Sequence, residues 1–453
     1  MAAALQVRDL QVHFHTRRGV FRALNGVNLV LREGEVLGIA GESGCGKSTL
    51  GLTVMSLLPR NAAVPGGQVI YDERNLVNLQ VDYAKSAGDR FLPKRNEHVL
   101  KRVNKAMASI RGVGLSMVFQ EPMTSLNPVL TIGFQIAEAV YLHNPALLAK
   151  RRLAREAATP QDLREILRLL EENEGDEAPI RAYVAAKSLE GLEEQALFVW
   201  RRPDIHRARK EKAILTLGEV EPRRFERSIL GVVARAGSIP PQFRWIPIFR
   251  KVVRHALFRE GYRKAEELLT SLGVPNADRV VRMYPHELSG GMRQRVVIAI
   301  ALANNPSVVI MDEPTSAVDV TVQAQILELI RQIRNTIHAS FIVISHDLSV
   351  LAEVCDRIAI MYAGRIVEIA PVGDTLTHPL HPYTQLLVSA IPTLDRKEIV
   401  GIRGEIPDMR DPPSGCAFHP RCPFAFGKCA THVPIDIPQG KEQLVACWLY
   451  EAK

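Results

Sequence analysis

Residues 36–50 read VLGIAGESGCGKSTL, and this stretch decides the fold. The run from Val36 to Ala40 carries no charge and reads as a strand buried on both faces. Gly41, Gly46, Lys47 and Ser48 then fit the spacing GxxxxGK[ST], with Gly44 between them. Glycines let successive backbone N–H groups curl around phosphate oxygens, and the helix that follows adds the positive end of its dipole. A lysine at this place reaches β- and γ-phosphates, and a hydroxyl such as that of Ser48 meets Mg²⁺. The candidate phosphate set is therefore Gly41, Ser43, Gly44, Cys45, Gly46, Lys47, Ser48 and Thr49. The helix is expected to run to Leu58 and to be stopped by Pro59.

Outward from the loop, the alternation Leu5, Val7, Leu10, Val12, Phe14 predicts strands, with a turn at Arg17-Arg18-Gly19. Asn25-Gly26 and Glu33-Gly34 read as further turns. Two more apolar runs, Val308-Val309-Ile310-Met311 and Phe341-Ile342-Val343-Ile344, end in Asp312-Glu313 and Ser345-His346-Asp347. Such strands alternating with helices predict an α/β fold, a parallel sheet with ligands at the carboxyl ends. Residues 145–255 are helical and charged instead. Thr159-Pro160-Gln161-Asp162 is a helix start, and Leu163, Ile166, Leu167 and Leu170 follow as one apolar stripe. The basic stretch 201–227 reads as a solvated helix face, with lipid headgroups or a partner's acids as the sharper alternative.

A chain of 453 residues exceeds one core, so two or three domains are expected. Its excess of basic residues, a formal net charge of +8, is spread along the chain and reads as solubility rather than a nucleic-acid surface. The most apolar run, 296–303, is far shorter than the ~20 residues a bilayer requires. The start MAAALQVRDLQVHF lacks a signal peptide's layout, which points to a cytosolic chain with reduced thiols.

Residues 284–295 read YPHELSGGMRQR and are followed by a strand and DEPTS at 312–316. Together with the phosphate loop, this order resembles the ATP-binding cassette family, the P-loop NTPases of ABC transporters. The resemblance implies ATP and Mg²⁺ as ligands and assigns roles position by position. Asp312 would hold Mg²⁺ through water, with Ser48, and Glu313 would be the general base on the attacking water. His346 would contact the γ-phosphate, and Gln120 would sense the metal and the water. Ser289, Gly290 and Gly291 would cap the ATP of a partner subunit, and Asp319 would lie in the loop that meets that partner. Phe14 is the candidate aromatic stacked on adenine, with Phe21 as runner-up and core packing as the alternative for both.

Glu121-Pro122-Met123-Thr124-Ser125 after Gln120, His381-Pro382-Tyr383-Thr384 and Pro420-Arg421-Cys422-Pro423 resemble the dipeptide/oligopeptide importer ATPases. That resemblance implies a second ATPase subunit, usually a different chain, two permeases, an extracytoplasmic binding protein and a peripheral place on the cytoplasmic membrane face. Peptides lead as substrate, with oligosaccharides or nickel as alternatives. A soluble cassette machine on nucleic acid or ribosomes would carry tandem cassettes, and one phosphate loop occurs here; a non-catalytic redox scaffold would not need Glu313 and His346. The expected domains are a cassette at 1–370, with a helical subdomain at about 121–290 interrupted by an insertion at about 145–250, and a C-terminal extension at 371–453. In that extension Cys416, Cys422, Cys429 and Cys447 suggest a metal site. No C-x₂₋₄-C pair of the zinc kind occurs, and Cys422 is followed by proline, so a cluster is favoured over Zn²⁺. The resemblance adds a 4Fe-4S cluster held by these four residues.

Overall fold

The strand Val36–Ala40 is buried at every residue and lies between Ser340–Ile344 and Arg357–Tyr362, parallel to both. Val308–Asp312 and Leu115–Val118 continue the parallel order, and each is buried throughout. Continuous burial is what lets Val, Ile and Leu occupy both faces of these strands. Arg365–Pro371, Gln443–Val445 and Ile437–Gln439 extend the sheet with antiparallel pairings. These observations come from a computed structural model that describes residues 3–76, 83–84, 94–95, 97–201, 206–215, 217, 224–239, 247–316, 319–336, 339–391, 404–440 and 442–451.

A second, antiparallel sheet orders Gly19–Arg32, Ala3–Thr16, Ala62–Tyr71 and Arg74–Asn75. Leu10, Val12 and Leu24 from this sheet share one core with Ile39, Ile310 and Ile344 from the other. Leu50 and Val54 of the helix Lys47–Val54 belong to the same core. Gly51 gives that helix its close seat, since a Cβ there would meet Ile310 and Met117 at 3.3 Å.

Two local expectations change. The helix after the loop stops at Val54, four residues before Leu58, because Ser56 turns left-handed (φ 53°). The Leu57 N–H then bonds back to the Leu52 carbonyl at 2.8 Å, which closes the helix end without help from Pro59. Asn25-Gly26 is not a turn; it lies inside the strand Gly19–Arg32, where the register against Ala3–Thr16 slips between Leu10 and Gln11. Gly26 takes φ 83° there, and a Cβ would stand 2.8 Å from Asp9 Oδ1, so this is a bulge that requires glycine. Arg17-Arg18 is the hairpin turn the sequence indicated.

The chain divides into two compact units, one of Met1–Gln120 with Asn305–Lys453 and one of Glu121–Asn304. The C-terminal residues fall within the first of these units. Gln443–Val445 pairs with Arg365–Pro371, and the buried Glu368 accepts from the backbone N–H groups of Leu380 (2.9 Å) and His381 (2.8 Å) and from the Gln443 amide (3.0 Å).

The second unit is helical. Ile132–His143 and Pro247–Ser271 meet at glycines: a Cβ on Gly133 would come within 2.6 Å of the Tyr262 ring, and one on Gly261 within 2.7 Å of Ala137. The helix Pro160–Glu172 starts where the sequence places it, and its cap is reciprocal, Thr159 Oγ1 accepting from the Asp162 N–H and Asp162 from the Thr159 N–H. Its Leu163, Ile166 and Leu170 form a core with Ile180, Val184, Leu192 and Ile214, and Leu167 packs at the edge. Beside this core Arg151 is fully buried and donates to Glu194 (2.9 Å) and Glu267 (2.5 Å), while Arg155 donates to Glu260 (3.1 Å). Part of the basic stretch 201–227 lies outside the described residues; within the rest, exposed Arg207 pairs with Glu171 (2.8 Å) and Glu211 (3.1 Å).

Candidate nucleotide site

The phosphate loop leaves the central strand at Gly41 and enters its helix at Lys47. Gly41, Gly44 and Gly46 all take positive φ, 152°, 79° and 109°. At Gly41 a Cβ would sit 2.2 Å from the Met361 carbonyl, so glycine is obligatory where the loop passes the neighbouring strand. Lys47 is buried and curls over the loop, its Nζ donating to the carbonyls of Gly41 (2.7 Å) and Glu42 (3.1 Å). Cys45 is buried beneath it, and burial pushes its thiol up, which makes it an unreactive filler.

The ends of the parallel strands bring the other candidates to this loop. Ser48 Oγ donates to Asp312 Oδ1 at 3.0 Å, a pair of hard oxygens of the kind Mg²⁺ takes. Burial pushes the Asp312 carboxyl up, and the charge of Glu313 adds to the rise against the pull of Ser48 and Lys47. Glu313 takes a left-handed φ of 47°, fixed by its N–H donating to the Ile344 carbonyl at 2.9 Å. A non-glycine residue in this conformation is strained, a condition that clusters at functional sites. In this pose Glu313 Oε2 accepts from the Gln120 amide at 2.9 Å, and Oε1 stands 3.1 Å from His346 Nδ1. The structure thus brings together Ser48, Asp312, Glu313, Gln120 and His346, which are scattered along the sequence.

Phe14 and Phe21 face each other across the first hairpin and line one recess of ≈ 580 Å³ with Arg17, Arg18, Asn61 and Arg410. Phe14 also packs partly on the core. In the second unit Ser289 caps the helix Gly290–Leu302, its hydroxyl accepting from the Met292 N–H at 3.4 Å, with open space around Gly290. Asp319 is exposed and caps the next helix by accepting from the Val322 N–H at 2.9 Å; Ala317 and Val318 lie outside the described residues.

Cys416, Cys422, Cys429 and Cys447 are free thiols. The Cys447 thiol is pushed up to about 11, first by burial and in smaller part by the other three thiols. Among the described residues no group of three or more His, Cys, Asp or Glu is gathered to hold a metal ion, so ligand geometry supports neither the cluster nor zinc.

Sequence reasoning missed Glu42, Arg421 and Tyr383 as parts of the loop's surroundings. Arg421 forks onto the Glu42 carboxylate at 2.9 and 3.1 Å, and the Tyr383 hydroxyl accepts from the Glu42 N–H at 3.0 Å. The available signal was the acid itself, since a carboxylate in an anion-binding loop calls for a cation.

Residues 24–201 and 206–316 match the family described as ABC transporter. Residues 367–429 match the oligopeptide/dipeptide transporter C-terminal region, a span that includes Cys416, Cys422 and Cys429 and stops before Cys447. The probable peptide ABC transporter ATP-binding protein y4tR of Sinorhizobium fredii is 34% identical over 448 residues, 98% of this chain and 94% of its own. From Bacillus subtilis, the oligopeptide transport ATP-binding protein AppD is 31% identical over 100% of this chain and 98% of its own. The dipeptide transport ATP-binding protein DppD of the same organism is 31% identical over 100% of this chain and 96% of its own. A cassette whose phosphate loop, acidic strand end and C-terminal region all find counterparts in these proteins belongs to the ATP-binding cassette transporter family, among its peptide-transport ATP-binding subunits.

Proposed function

We propose that this ABC ATPase hydrolyses ATP with Glu313 as general base and that the hydrolysis drives peptide import through permease partners. The observation that carries the catalytic reading is the Glu313 carboxylate held between Gln120 and His346, beside the Ser48–Asp312 pair. A water placed by Gln120 attacks the γ-phosphorus, its proton passes to Glu313, and the bond from phosphorus to the β–γ bridging oxygen breaks to leave ADP and phosphate. Lys47 meets the β- and γ-phosphates, and His346 meets the γ-phosphate. Ser48, Gln120 and, through water, Asp312 would hold Mg²⁺, which would supply neutralisation of phosphate charge. Gly41, Ser43, Gly44, Cys45, Gly46 and Thr49 complete the phosphate cradle, and Phe14 stacks on adenine. Ser289, Gly290 and Gly291 complete the site of a second ATPase subunit, with Asp319 at that contact.

The names of the relatives support peptides as cargo. The complex would hold two permeases, a second ATPase and an extracytoplasmic binding protein, with this chain peripheral on the cytoplasmic face. No described helix is long and apolar enough to cross a membrane. The helical core around Leu163, Ile166 and Ile180 supports an insertion at about 145–250. The test is the assembled complex in vesicles with its binding protein, where peptide should stimulate ATP hydrolysis and be taken up. Stimulation by oligosaccharide or nickel instead would overturn the cargo and leave the ATPase standing.

For Cys416, Cys422, Cys429 and Cys447 we propose a 4Fe-4S cluster, supported by their spacing, by the proline that follows Cys422 and by all four being free thiols. Protein purified without air should carry about four irons per chain and absorb broadly in the visible. Colourless protein with one zinc would overturn it.

A further inference from the structure

Glu42 is an acid in the second position of a loop built to bind a polyanion. Lys47 Nζ donates to its carbonyl at 3.1 Å, so Glu42 borders the phosphate cradle itself. An uncompensated carboxylate there would repel the phosphates. The structure supplies the compensation from a distance of 379 residues. Arg421 Nη1 donates to Glu42 Oε2 at 2.9 Å and Nη2 to Oε1 at 3.1 Å, a two-pronged fit of guanidinium to carboxylate. The Arg421 side chain is 7% exposed and that of Glu42 22%, so water screens the pair only in part.

The cation is itself held in place. Arg421 Nη1 also donates to the Tyr362 hydroxyl at 3.3 Å, and the guanidinium carbon lies 5.7 Å from the Tyr362 ring centre. Tyr362, Tyr383 and Phe418 form a ring cluster with centroids 4.7 to 5.4 Å apart. From that cluster the Tyr383 hydroxyl accepts the Glu42 N–H at 3.0 Å, which fixes the loop backbone as well as its side chain. A second contact reaches the other end of the site: the Met409 carbonyl accepts the Arg22 N–H at 3.0 Å, next to Arg410 in the recess of Phe14 and Phe21. Arg421, Tyr383, Phe418 and Met409 all come from the C-terminal region.

We infer that Arg421 is a positioning residue of the ATP site, which neutralises and orients Glu42 so that the C-terminal region sets the affinity for nucleotide phosphates. Arg421 touches no phosphate in this account and acts through Glu42. Its effect therefore grows with the charge of the ligand and fades with added salt, as a direct packing role would not.

The test uses the full-length chain with MgATP, MgADP and adenosine, measured by calorimetric titration at low and high salt. Arg421→Gln should weaken MgATP about tenfold, the scale of a charge-assisted hydrogen-bond pair. It should weaken MgADP less, leave adenosine unaffected, and lose part of its defect in high salt. Glu42→Gln should tighten MgATP, because the Arg421 charge is then no longer cancelled. The double variant should return to within about threefold of the unsubstituted chain. Arg421→Lys, which keeps the charge and loses the fork, should fall between the native chain and Arg421→Gln and guards against a variant that fails to fold. A double variant as weak as Arg421→Gln alone, a lysine variant no better than glutamine, or an equal loss for adenosine would each overturn the proposal.

Discussion

Replacing Glu313 by glutamine separates chemistry from binding, and the structure sets the size of both effects. The amide keeps the shape of the side chain and one acceptor oxygen, enough for the 2.9 Å contact from Gln120, but it takes no proton from water. Loss of a general base costs about 10²–10⁴-fold in rate, or roughly 3–5 kcal/mol of barrier. Binding moves the other way. The Asp312 carboxyl is pushed up first by burial and then by the neighbouring Glu313 charge. Glutamine removes that second contribution, so Asp312 stays ionised more readily and the hard-oxygen pair with Ser48 remains available to the cation. MgATP affinity should hold or rise while turnover falls. The assay is ATP turnover by the assembled complex at saturating MgATP, with the dissociation constant measured beside it. Turnover within tenfold of the native complex, or loss of MgATP binding, would refute the reasoning.

Lys47→Ala should abolish ATP binding in a direct titration, because it removes both the phosphate contact and the two bonds that shape the loop, at 2.7 and 3.1 Å. Ser289→Arg should bind ATP as a monomer yet fail to form the closed ATPase dimer, which sizing chromatography with MgATP reads; loss of binding by the monomer would contradict the two-subunit site. Glu267→Ala should lower stability by about 3–5 kcal/mol in denaturant unfolding, because it strips a partner from the fully buried Arg151.

The nucleotide half of the fold was legible because its signals are local. A run of buried residues, glycines at fixed offsets and a strand ending in acids are consequences of the pleat and of phosphate geometry, and each falls within a dozen neighbouring positions. The cap at Thr159 was legible for the same reason. What escaped depends on partners remote in sequence. Arg151, Arg152 and Arg155 sit in a stretch that reads only as helical and charged, yet all three are buried; for Arg151 and Arg155 the acids they meet lie on later helices, at Glu194, Glu260 and Glu267. Asn25-Gly26 carries the dipeptide of a hairpin turn, and the chain spends it on a bulge opposite Asp9. The partner of Glu42 lies at position 421, a separation across which no periodicity speaks.

The pairing of Gln443–Val445 with Arg365–Pro371 makes it a mistake to treat 1–370 as a minimal working piece. Cut there, the sheet would end in an open edge bearing the buried Ile366 and Ile369, the kind of surface that recruits other chains into aggregates. Glu368 would fare worse. The Leu380 and His381 N–H groups and the Gln443 amide that donate to it would all leave with the removed segment, abandoning a carboxylate in the interior. The end of the chain is thus woven into the sheet that carries the phosphate loop, and a shortened protein that precipitates would be reporting on this seam before it reported on any cofactor.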